Sequence, residues 1–125
     1  MAYDVYWIQE PHLISADYSG PVSVDDLDAV IAFCLPAADN NPVYFLIDMH
    51  ASTSWPANIL KLASLNRLLD HPNTRWFALV GHNPFLKFVI QLSRRSTKVK
   101  FFEVRADAVE FLQERVTEEI NYDSH

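Results

Sequence analysis

The stretch "FLIDMHASTSWPANIL", residues 45–60, decides the fold. It opens inside an apolar run, Val43 to Met49, that is too continuous for a strand with one wet face. Such a run suits a strand covered on both sides. Asp48 interrupts it near the end. Small and polar residues follow, His50-Ala51-Ser52-Thr53-Ser54, then Trp55 and Pro56. Proline is favoured at a first helical position, so the reading is a strand, a turn, and a helix that starts at Pro56 with Ser54 as its cap. Ile59, Leu62, Ala63, Leu65 and Leu69 then mark the helix's inner face.

Working outward, the same alternation recurs. "YDVYWIQ" (3–9) and "LISADYSG" (13–20) are two β-formers separated by a short break, which predicts an antiparallel hairpin. Ser23 precedes "VDDLDAVIAF", with Asp25 and Asp26 in a first turn where the helix dipole favours negative charge. Leu27, Val30, Ile31 and Cys34 form its apolar stripe, and Pro36 is expected to stop it. "TRWFALVG" (74–81) reads as a strand. Asn83-Pro84 opens a helix through Leu92, "VKFFEV" (99–104) is the last strand, and Ala106 to about Ile120 the last helix, with a frayed tail at 121–125. The order β-β-α-β-α-β-α-β-α predicts one α/β domain over residues 1–125. Its five-stranded sheet is mixed but mostly parallel, with an N-terminal β-hairpin and four helices.

Composition narrows the function classes. The chain has 125 residues, half of them hydrophobic, and a net charge of −6. An acidic balance argues against nucleic-acid binding and against docking on anionic membranes. One cysteine, Cys34, permits no internal disulfide and suits a reducing, cytoplasmic setting. No apolar run reaches the roughly 18 residues of a membrane helix, and nothing at the N-terminus resembles a signal peptide. With two glycines, Gly20 and Gly81, the chain has neither a phosphate loop nor a dinucleotide turn. No cofactor is expected, and no metal: a site built from Asp48, His50 and His82 is weaker than the reading in which loop histidines only hydrogen-bond.

Two turns lie where ligands of open α/β sheets bind, beyond the carboxyl ends of strands. One carries Asp48, His50, Ser52, Thr53, Ser54 and Trp55; the other carries Gly81, His82 and Asn83. Each is expected to face a helix N-terminus, which suits an anion or phosphoryl group. The plainer roles are an Asp48 that accepts bonds from loop N–H groups and a Trp55 that folds back on the core. A second candidate surface is the helix "PFLKFVIQL", apolar nearly all round, where Phe85, Phe88, Val89 and Leu92 point to an interface with another protein or a second copy.

These elements resemble the STAS family, the sulphate-transporter and anti-sigma-factor-antagonist domains. The resemblance rests on "VYFLIDM" with Asp48, on "STSWPANILKLASLNRLL", on "WFALVG" and on "VKFFEVRADAVEFL", and covers nearly the whole chain. It implies a regulatory fold without cofactor that acts by protein–protein contact, with helices largely on one side of the sheet. In the antagonists a Ser at the start of the second helix, in a pattern like Asp-Ser-Ser-Gly, is phosphorylated. Here the matching stretch is "TSWPAN", without that pattern. The expected function is therefore a non-catalytic, self-associating interaction module, a homodimer. A small-molecule or anion site between the 50–55 and 81–83 loops is the alternative, and an enzyme using Asp48 or His50 the least favoured reading.

Overall fold

The computed structural model describes residues 2–57, 62–81 and 98–123. They form β1 (Tyr3–Gln9), β2 (Leu13–Pro21), α1 (Val24–Asn40), β3 (Val43–Ser54), α2 (Ala63–Asp70), β4 (Thr74–Val80), β5 (Lys98–Phe102) and α3 (Arg105–Asp123). The strands make one five-stranded sheet in the order β1-β2-β3-β4-β5. β1 and β2 pair antiparallel; the other three pairings are parallel. The mixed α/β sheet with an N-terminal hairpin is thus the architecture expected from the sequence. Three helices lie among the described residues. The helix expected over 83–92, with its candidate interface residues Phe85, Phe88, Val89 and Leu92, falls outside them.

Alternation along the strands sorts side chains into two cores. Ile14, Ala16, Val43, Phe45, Phe77 and Leu79 point to one face and pack with Leu27, Val30, Ile31 and Cys34 of α1 and Leu68 and Leu69 of α2. Leu13, Tyr44, Leu46, Ala78 and Val80 point to the other and pack on Ala108, Leu112 and Val116 of α3. Two of the three described helices thus share one face, in line with helices largely on one side, and α3 covers the other. Leu13, Tyr44, Leu46, Ala78 and Val80 make the α3 face apolar too, and that face needs its own cover.

Four boundaries also differ. α1 does not stop at Pro36 but runs to Asn40. Ala38 of the added turn is fully buried, while Ala32 and Pro36 are exposed, so the carbonyl that loses its proline partner lies on the wet side. β3 does not end at Met49; it continues to Ser54 because β2 pairs with it as far as Pro21. α2 begins at Ala63, not Pro56, and residues 55–57 are not helical. α3 continues through the expected frayed segment to Asp123. The cap at Ser23 is as expected: Asp26 N–H donates to Ser23 Oγ at 3.1 Å and Ser23 N–H to Asp26 Oδ2 at 2.9 Å.

Candidate functional site

Asp48 pairs in register with Val80, the last residue of β4, and with Asp17 of β2. It therefore sits within β3 but where the centre of the sheet ends. Its residue parity directs it to the α3 face, the same face as Ser15 and Asp17. An Asp there is only 3% exposed, so it needs partners.

Arg105, the first residue of α3, supplies them. Its Nη1 donates to Asp48 Oδ2 at 3.0 Å and to Asp17 Oδ1 at 2.8 Å. Its Nη2 donates to Tyr6 Oη at 2.8 Å and Ser15 Oγ at 3.1 Å. Tyr6 in turn donates to Asp17 Oδ2 at 2.7 Å, and Ser15 to Asp17 Oδ1 at 2.7 Å. Three strands and one helix are joined at a single guanidinium. Planar Arg can make these divergent bonds; the point charge of Lys cannot.

The remaining oxygen of Asp48 serves His50. The backbone N–H of His50 donates to Asp48 Oδ1 at 3.2 Å, and His50 Nδ1 bonds to the same atom. Burial pushes the Asp48 carboxyl up, but the His50 and Arg105 hydrogen bonds outweigh it and hold the group below its ordinary 3.8. Burial likewise pulls Arg105 down, and the Asp17 and Asp48 bonds more than reverse it. Burial and the bond to Asp17 raise the Tyr6 phenol. Asp48 is thus an ionised anchor, and His50, whose side chain is 68% exposed, projects from it.

Gly81 completes the tip. Its φ is +114°, and a Cβ there would lie 2.7 Å from His50 N and 2.9 Å from its Cα. Only glycine lets the end of β4 approach the β3 backbone so closely. The described part of the 81–83 turn is therefore packed against His50. His82 and Asn83 lie outside the described residues.

The other expected site residues separate. Ser52 Oγ donates to Met49 O at 2.6 Å and accepts from Trp55 Nε1 at 2.9 Å. Trp55 folds back on the core, edge-on to Tyr18 with centroids 4.9 Å apart. Thr53 and Ser54 are exposed strand residues, and Ser54 O accepts from Val22 N–H; Ser54 does not cap a helix. No helix N-terminus follows this turn directly, so the expected anion seat before Pro56 is absent among the described residues. Among them, too, no group of three or more His, Cys, Asp or Glu could hold a metal.

Beneath Trp55 lies a cavity of about 60 Å³, lined by Tyr18, Cys34, Phe45, Ile47, Leu65 and Leu79 among others. All of its exposed lining is apolar, so it offers an anion nothing to bond.

Sequence reasoning missed Tyr6, Ser15, Asp17 and Arg105. The available signal was polarity at the inward positions 15 and 17 of a strand that is otherwise buried, together with Arg at a helix start, where the dipole disfavours a cation.

The chain's fold is that of a STAS-like domain. It is similar to a crystal structure of an uncharacterised DUF3478-family protein with a SpoIIAA-like fold from Shewanella loihica. That similarity has a TM-score of 0.63 and 16% identity, and covers 89% of this chain and 92% of the other. It is also similar to an anti-sigma factor antagonist from Mycobacterium paratuberculosis, with a TM-score of 0.53, 14% identity and coverage of 89% and 94%. No family model matches the sequence. No curated protein matches it either.

Proposed function

We infer that the chain is a non-catalytic regulatory module that works through protein–protein contact at the tip of β3. The observation that carries this reading is the shape of that tip. β3 runs on past Asp48, where its pairing with β4 ends, and His50, Ala51, Thr53 and Ser54 are all exposed along it. The carboxylates behind them are fully engaged by Arg105, Tyr6, Ser15 and His50, which holds the tip rigid and leaves neither acid free for proton transfer. A strand held by β2 as far as Ser54 presents polar side chains to a partner at little ordering cost. The fold similarity to a protein named as an anti-sigma factor antagonist supports the same class of role. No helix among the described residues is long and apolar enough to cross a membrane.

The test is affinity capture with wild type and with Thr53→Arg and Ser54→Arg, alongside light scattering over a range of concentrations. A partner, or a second copy of the chain, should bind the wild type and be lost in both variants. Equal capture by all three would place the working surface elsewhere.

A further inference from the structure

We propose that Nε2 of His50 is a phosphoryl acceptor, taking its group from a donor with a P–N bond, a phosphoramidate.

The tautomer of His50 decides which ring nitrogen carries a free lone pair. A neutral imidazole carries one proton, and the group that one nitrogen bonds decides where it sits. Asp48 is ionised and accepts only, so its bond to His50 Nδ1 places the proton on Nδ1. The lone pair is then on Nε2, the ring nitrogen farther from the backbone. With the side chain 68% exposed, Nε2 is open to a reagent from solution. Orientation is fixed from behind, since Asp48 also holds the His50 N–H, Arg105 holds Asp48, and Gly81 packs against the His50 backbone.

The other described histidines lack this combination. His71 has both ring nitrogens engaged, Nε2 with Asp39 Oδ1 at 2.9 Å and Nδ1 with Asn73 N–H at 3.1 Å. His12 is half-buried, and its Nδ1 faces the neutral carbonyl of Pro42 at 2.8 Å, not a carboxylate. A carboxylate behind Nδ1 stabilises the positive ring that phosphorylation creates.

The step balances without a redox partner. The Nε2 lone pair forms a P–N bond as the P–N bond of zwitterionic phosphoramidate breaks, and ammonia leaves with the bonding pair. The Nδ1 proton stays on the ring and donates to Asp48. The exposure that rules out an enclosed catalytic centre at His50 is what a phosphoryl acceptor requires. The proposal stands whether or not the β3 tip docks on a protein.

The experiment treats the full chain with potassium phosphoramidate at neutral pH. Phosphorus NMR and peptide mapping under alkaline conditions, where P–N bonds persist, then locate the label. The expected result is an acid-labile phosphoryl group on Nε2 of His50 that is lost from position 50 in His50→Gln. His50→Gln alters an exposed side chain and should keep the wild-type circular dichroism. Nitrogen-15 NMR of the wild type should show His50 as the Nδ1–H tautomer. Label spread evenly over the histidines, label on Ser or Thr, no label, or an Nε2–H tautomer would each overturn the assignment.

Discussion

Nη1 of Arg105 lies 3.0 Å from Oδ2 of Asp48, a residue 57 positions earlier in the chain. The contact fastens the N-terminus of α3 to the middle of the sheet. At the other end of α3, Glu119 Oε1 accepts from Arg75 Nε at 2.8 Å and from Tyr44 Oη at 3.0 Å. Between these polar ends Ala108, Leu112 and Val116 are fully buried, with Val109 and Phe111 packed beside them. The helix is held by an apolar stripe and clamped at both ends by ion pairs.

Arg105→Met should therefore destabilise the fold by about 2–3 kcal/mol, because it strands the Asp48 carboxylate. The figure sits below the fully buried range because the Arg105 side chain is 34% exposed. Urea unfolding measures it. An unchanged midpoint would mean that Asp48 finds another partner.

Acid should weaken the same clamp. Asp48 and Glu119 are both held below their ordinary values of 3.8 and 4.5: burial raises each, and hydrogen bonds, from His50 and Arg105 in one case and Arg75 and Tyr44 in the other, outweigh it. A carboxyl lowered in the folded state adds stability that is present above its unfolded value and is lost as pH falls through the folded one. Urea midpoints should hold through the neutral range and drop below about pH 4, and Arg105→Met should flatten the drop. An acid slope as steep in the variant as in wild type would count against Asp48 as its source.

Gly81→Ala should cost about 2 kcal/mol or more, combining the positive φ with a Cβ placed 2.7 Å from His50 N. The neighbour it meets is backbone, which has little room to yield. Gly20→Ala is the useful contrast. Its φ is also positive, at 64°, but nothing lies within 4 Å of the added carbon, so the strain is local and the loss smaller. Thermal melts of the two variants compare them directly; equal losses would show that crowding at His50 contributes nothing.

Cys34 should resist alkylation in the native state. It is 2% exposed, and burial pushes its thiol up to about 12, so almost no thiolate forms at neutral pH. A thiol reagent should label it only after denaturation. Rapid labelling of the folded protein would mean that α1 opens readily from the sheet.

How far the sequence could be read varied with the range of the interactions. Segments whose cues are local were legible. The Ser23 cap, the α1 stripe and the alternating β1 and β2 all sit where residue chemistry put them. Pro36 and Pro56 misled, because a proline's effect on a helix depends on which face it lies and on what pairs with the residues before it. Of the expected site, Asp48 and His50 do come together, since residues two apart on a strand share a side. Trp55 and Ser52 turn inward to each other instead.

The order of the described elements, the mixed sheet and the acid at the centre of its edge were readable from residue pattern alone, because hydrophobic periodicity and caps act over a few residues. That α3 crosses to the opposite face and brings Arg105 onto Asp17 and Asp48 emerges from the packing of the whole chain. That meeting joins residues 88 and 57 positions apart, and no local pattern encodes it. A buried carboxylate must find a cation wherever the chain can deliver one, and the packed sheet fixes where that is.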